Sequence, residues 1–184
     1  MKPRVGISRC LLGDDVRYDG TNRRSSAVIA LGAEVEWVPV CPEVEVGMGM
    51  PREPIQLLAR ADGVPSVHER VVLRGVHSAD DWTARMDAWA RDRIASLAAE
   101  RISGFVLKAR SPSCGPSGVL VHHADAEATP TGRGLFAEAL AAAIPGLPII
   151  DEEALEDAHA RASFIQKVLE FAPPSPHRGF GEAG

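Results

Sequence analysis

VLKARSPSCGPSG, residues 106–118, is an apolar run that stops at Lys108, followed by a loop of Ser, Pro and Gly around Cys114. An apolar run that breaks into a Gly/Pro/Ser cluster reads as a buried strand meeting a loop. The other two cysteines stand in the same relation to runs of their own. Cys10 follows RVGIS (4–8), and Cys41 follows EVEWVPV (34–40). Strand-to-loop junctions are where an open α/β sheet builds its ligand crevice. The three cysteines therefore predict one shared crevice, although 31 and 73 residues separate them along the chain.

Outward from these junctions the chain alternates between strand and helix patterns. A strand over 4–8 is followed by a helix over 23–31, capped by Asn22 and closed by Gly32, and then by a strand over 34–40. That is a βαβ unit. Residues 43–62 contain GMGMPREP, whose Pro and Gly predict no long regular element. A short edge strand is expected over 70–73. A long helix is expected over 80–101, where Trp82, Met86, Trp89, Ile94 and Leu97 recur at helical spacing and form a core face. GFVLK (104–108) is nearly all apolar and so predicts a central strand. A brief strand over 118–122, a helix over 135–144, a buried strand over 147–150 and a last helix from Asp151 to about Phe171 complete the pattern. The expected fold is α/β: one three-layer, Rossmann-like domain over 1–171, with a mainly parallel sheet and the site at the strand carboxyl ends. Residues 172–184, rich in Pro and Gly, predict a flexible tail.

Composition narrows the function. The 184 residues are 45% hydrophobic and 24% charged, an ordinary globular balance. A net charge of −5 without any Lys/Arg block gives no footprint for nucleic acid. No apolar stretch approaches the ~18–20 residues of a membrane span, and the N-terminal run lacks the pattern of a signal peptide. A cytoplasmic protein with reduced thiols and a small-molecule partner is expected. Oligomeric state is not written in the sequence.

Reduced cysteines meeting at a crevice admit several chemistries. They can be small buried hydrophobes. They can hold zinc with His122 or His123 as a fourth ligand, giving a structural or sensor protein. They can carry an iron–sulfur cluster, for which soft thiolates are suited. Cys114 alone can serve as a metal-free nucleophile activated by a nearby base. Spacing does not separate these readings. There is no C-x-x-C, no nucleophile elbow and no phosphate-binding glycine motif.

The flanking residues go further. SRCLLGDDVRYDG (8–20), CPEVEVGMGMPREP (41–54), LKARSPSCG (107–115), TGRGLFAEAL (131–140) and LPIIDEEAL (147–155) occur in this order. Together they resemble the uncharacterised-domain family that includes the 2-thiouracil desulfidases, over about 1–171. The resemblance implies a 4Fe–4S cluster on Cys10, Cys41 and Cys114, with one iron lacking a protein ligand. It implies a non-redox hydrolysis in which water replaces the sulfur of a thiolated pyrimidine or related thiocarbonyl compound and sulfide is released.

Several residues then become candidates. Glu43, two after Cys41, is the expected general base. Ser111 and Ser113 flank Pro112 just before Cys114, and either hydroxyl could donate to substrate or relay a proton. Lys108 can bring positive charge to an anionic centre, and Arg17, Tyr18 and Asp19 form a polar patch for substrate edges. Arg52 and Arg133 could receive an anionic group.

Overall fold

A computed structural model describes residues 2–60 and 71–172. Among these residues, eight strands form two four-stranded sheets. β1 (Arg4–Ser8), β2 (Glu36–Val40), β5 (Phe105–Leu107) and β8 (Ile149–Asp151) make sheet A, in the order β2-β1-β5-β8. Every pairing in it is parallel. Parallel strands need crossovers, and α1 (Ser26–Leu31) supplies the one between β1 and β2. The chain steps from β1 to β2 on one side and from β5 to β8 on the other. The order therefore reverses between β1 and β5, which is where an open sheet leaves a crevice at its carboxyl edge.

Sheet A is covered on both faces, as its apolar strands require. On one face Val5, Ile7 and Val106 pack with Val28 and Leu31 of α1 and with Phe164 and Val168 of α5 (Ala158–Phe171). On the other, Val38, Val40, Phe105 and Leu107 pack on α3 (Thr83–Ala99) and α4 (Leu135–Ala143) through Ala90, Ile94, Phe136 and Leu140. Gly6 is required here, because a Cβ on it would stand 2.3 Å from the Phe105 ring. Trp89 packs on Phe136 with centroids 5.4 Å apart, and Trp82, just before α3, also packs against buried apolar residues, so both serve the core. This is the expected three-layer α/β arrangement.

Sheet B was not expected. β3 (Ile55–Ala59), β4 (Val71–Gly75), β6 (Val119–His122) and β7 (Thr129–Gly132) form it in the order β4-β3-β6-β7, with one parallel and two antiparallel pairings. Its inner face, with Leu57, Leu73 and Val121, packs on Met86 and Leu135. Two of its strands lie where no strand was predicted, β3 within 43–62 and β7 at TPTG. β4 is an edge strand as expected, but Arg70 lies outside the described residues. So does 173–184, most of the predicted tail.

Two helix starts also move. Ser25, not Asn22, caps α1, accepting the Val28 N–H at 3.3 Å. Asp157, not Asp151, caps α5, accepting the Ala160 N–H at 2.7 Å. Asp151 instead ends β8 and accepts the Ala154 N–H, which opens a short 3-10 turn. In both cases the helix starts later than sequence spacing places it, and the residue just before its first turn supplies the cap. Among the described residues no helix is long and apolar enough to cross a membrane.

Candidate functional site

Each strand of sheet A hands its next residues to the same edge. β1 ends at Ser8 and leads into a 3-10 turn, Arg9–Leu12, that carries Cys10. β2 ends at Val40 and leads through Cys41 into α2, the single turn Pro42–Glu45. β5 ends at Leu107 and leads through Lys108 to Cys114. These segments line one cavity of about 290 Å³, in which all three cysteines take part. That volume suits a small ligand.

The Cys114 loop is fixed by α4. The amide N–H groups at the start of a helix have no partner within it. Here the Leu135 N–H donates to Pro112 O at 3.1 Å and the Phe136 N–H to Ser113 O at 3.0 Å. The loop thus caps the helix and the helix holds the loop. Gly134 makes the approach possible, since a Cβ there would stand 2.5 Å from the Ser113 carbonyl.

All three thiols are free. Burial pushes the Cys10 thiol up to about 12, with Cys41 adding repulsion and Lys108 and Arg17 opposing it. Burial also raises Cys41 and Cys114. Glu43 repels both of their thiolates, while Ser8 pulls Cys114 the other way. As free thiols they stay protonated near neutral pH, which makes poor nucleophiles and disfavours the metal-free reading of Cys114. Metal coordination reverses that balance by removing the thiol proton outright.

The donor set can be tested against the two metal readings. A single zinc needs its ligands about 2.0–2.3 Å from one point. Among the described residues no three His, Cys, Asp or Glu side chains form such a group. Neither His122 nor His123 lines the cavity, and His123 bonds Thr129 Oγ1 instead. Nothing here supports zinc. A polynuclear cluster offers separate irons to separate thiolates, so its ligands must face one cavity and need not meet at one point. Three soft donors around a largely apolar pocket fit that demand.

Beside the cysteines runs a hydrogen-bonded chain. Glu43 Oε1 accepts from Ser113 Oγ at 2.6 Å. Glu43 Oε2 is gripped by Arg52, through Nε at 2.9 Å and Nη2 at 2.6 Å. Arg52 also donates to Val16 O and Gly49 O, at 3.0 and 3.1 Å. Its side chain is only 6% exposed. The guanidinium expected to receive an anionic ligand is therefore committed to the protein itself. Ser111 Oγ lies 3.1 Å from Ser113 Oγ and accepts the Ser113 and Cys114 N–H groups at 3.3 and 3.2 Å. Ser113 has one proton, and the carboxylate at 2.6 Å is its strongest acceptor. The proton between the two serines is therefore the one on Ser111. Ser111 lines the cavity, whereas Ser113 is fully buried behind it.

The remaining candidates divide. Arg17 and Tyr18 line the cavity, the guanidinium 5.4 Å from the ring centroid. Asp19 does not line it. Its carboxylate accepts from Thr21 N and Oγ1 at 3.1 and 2.6 Å, and these bonds, with Arg17 nearby, hold it below the ordinary range. It closes a turn. Lys108 lines the cavity but is ion-paired with Glu152. Arg133 is not part of the lining; it bonds Pro116 O at 2.8 Å and Glu138 at 3.2 Å. Sequence reasoning missed Ser8, which accepts the Lys108 N–H at 2.9 Å, and Glu152, which also accepts the Ala109 N–H at 2.7 Å. Glu152 follows a strand of sheet A just as the cysteines do, and that position was a usable signal.

Comparison with known proteins identifies relatives over most of the chain. A family model described as 2-thiouracil desulfurase matches residues 5–152. The uncharacterised protein YbbK of Bacillus subtilis (strain 168) is 31% identical over 152 residues, covering 82% of this chain and 97% of that protein. Among solved structures, the 4Fe–4S-dependent thiouracil desulfidase TudS superposes with a TM-score of 0.65 at 30% identity. That match covers 88% of this chain and 99% of the TudS chain.

Proposed function

The chain belongs to the 2-thiouracil desulfurase family, and from that membership we propose that it removes sulfur from a thiolated pyrimidine by non-redox hydrolysis. The observation that carries the reading is the meeting of Cys10, Cys41 and Cys114 at one cavity with Ser111 and Glu43 beside them. Those three cysteines would hold a 4Fe–4S cluster. When bound, the cluster supplies an iron without a protein ligand, a Lewis acid able to take up the thiocarbonyl sulfur.

The chain's own residues do the rest. Water adds its oxygen to the thiocarbonyl carbon, the C–S bond breaks, and sulfur leaves as hydrosulfide with no net electron transfer. The water must lose a proton as it adds, and Glu43 is the carboxylate at the cavity wall positioned to take it. Ser111 offers a second route, because a proton given up at its hydroxyl passes through Ser113 to Glu43 Oε1. Arg52 keeps the other carboxylate oxygen occupied, so Oε1 alone faces the serine chain. Arg17 and Tyr18 bound the cavity and suit the edge and face of a planar ring.

The test is anaerobic reconstitution followed by iron and acid-labile sulfide analysis, then incubation with 2-thiouracil. About four irons per chain, a broad absorbance and release of sulfide with uracil are expected. Stoichiometric zinc, or no iron after reconstitution, would overturn the reading.

A further inference from the structure

α2 is a single turn, yet it carries Glu43 and follows directly on Cys41. A helix this short has no cooperative stability of its own. The ladder between β1 and β2 ends at the Ser8–Val40 pair, so Cys41 has no strand partner either. Arg52 and Ser113 hold the Glu43 carboxylate of this corner, and the Cys41 amide is held by Glu45. Its Oε1 accepts the Cys41 N–H at 2.9 Å, and its Oε2 lies 3.3 Å from Arg93 Nε of α3.

Arg93 is itself held. Its Nη1 meets Glu100 Oε1 at 3.1 Å, Glu100 Oε2 meets Arg4 Nη2 at 3.2 Å, and Arg4 Nε lies 3.4 Å from Glu36. Charges alternate along this ladder from the first residues of β1 and β2 to the Cys41 corner. Side-chain exposure falls from 56% at Glu36 through 39% at Arg4 and 29% at Glu100 to 20% at Arg93, and is 32% at Glu45. The links nearest the cavity are thus better shielded than the outermost one, and a shielded pair is less screened by water and salt.

We propose that Glu45 and Arg93 are positioning residues: the pair ties the Cys41 amide and the one-turn helix to α3, fixing how the Cys41 sulfur enters the cavity. The functional meaning rests on the proposed role of Cys41, but the contact itself is testable without any metal. In the full chain, free of iron, amide hydrogen exchange at Cys41 and alkylation of each thiol are followed by mass spectrometry. Arg93→Ala is expected to speed both at Cys41 by about two- to fivefold, the scale of a partly exposed ion pair. Labelling of Cys10 and Cys114 and the thermal midpoint stay near wild type. Arg93→Lys, which keeps a cation opposite Glu45, restores part of the protection, and the isosteric Glu45→Gln loosens Cys41 without removing packing volume. Glu36→Gln, at the exposed end, leaves Cys41 unchanged. An equal rise at all three thiols with a lowered midpoint would mean general loosening and overturn the proposal, as would no change at Cys41. After reconstitution, a chelator should strip iron faster from Arg93→Ala than from wild type. If wild type binds no iron, the cluster reading fails while the Cys41 result is judged by itself.

Discussion

Sheet A and sheet B each have four strands, but they differ in how their residues meet the cavity. Sheet A is wholly parallel, so its carboxyl ends share one edge and deliver Cys10, Cys41 and the Cys114 loop to one place. Sheet B is mixed, and its strand ends point both ways. It gives the cavity no thiol. Its contribution is a wall: Arg52, Pro54 and Ile55, at the entry to β3, line the cavity, with Arg52 reaching the Cys41 corner through Glu43. The reacting groups thus come from the sheet whose topology gathers them, and the group that orients Glu43 comes from the approach to the other sheet.

The largest effect that could break this division is at the thiols. Alanine at Cys10, Cys41 or Cys114 is each expected to abolish sulfide release and cut bound iron, measured on anaerobically reconstituted protein. If only Cys114→Ala abolishes activity while the other two variants remain active, a thiol nucleophile replaces the cluster. Next is Glu43→Gln, which keeps the side-chain shape but removes the proposed base. Turnover should fall about 10²–10⁴-fold with iron content unchanged. Iron loss in that variant would make Glu43 a structural prop and not a base.

Sheet B is probed through its core. Leu57 is fully buried on β3, and Leu57→Ala should cost about 2–5 kcal/mol in denaturant unfolding. Iron content of the folded fraction should stay at the wild-type level, because Leu57 belongs to a core cluster that contains no cysteine. Loss of iron from still-folded protein would show that sheet B belongs to the site and does not merely wall it. The smallest effect is Leu120→Ser on the outer side of β6. Leu120 is half exposed, and its replacement should change stability by no more than about 0.5 kcal/mol. A larger loss would reveal a covering surface on that face.

Legibility in the sequence followed the same divide. The strands of sheet A were readable because burial on both faces leaves short, almost purely apolar runs such as FVL and IIDE's first two residues. β3 was hidden behind PREP, where Pro and Gly discourage a strand, and β7 is TPTG, which carries no strand signal of its own. β7 exists because β6 lies beside it, pairing at Val119–Gly132 and Val121–Thr129. Tertiary pairing outweighed local propensity there. The helix caps were misplaced by a few residues, since several Ser, Asn and Asp oxygens compete near each start.

The site divides in a similar way. That three cysteines stand at strand ends, with Glu43 and two serines close to them in sequence, is a property of local order along the chain. The sequence alone therefore determined the fold class and the family, and it brought the candidate chemistry to one edge. Only the tertiary structure decided which partners each group has. Arg52 turned out to grip Glu43 and not a ligand, Asp19 to close a turn, Arg133 to stand outside the cavity, and Glu152 to hold Lys108. It also decided that Ser111 faces the cavity while Ser113 lies behind it. The physical reason is range. Strand and loop signals are set by neighbours in sequence, whereas a hydrogen bond or ion pair forms with whatever the fold brings within about 3 Å, and for Ser113 and Glu43 that partner lies 70 residues away.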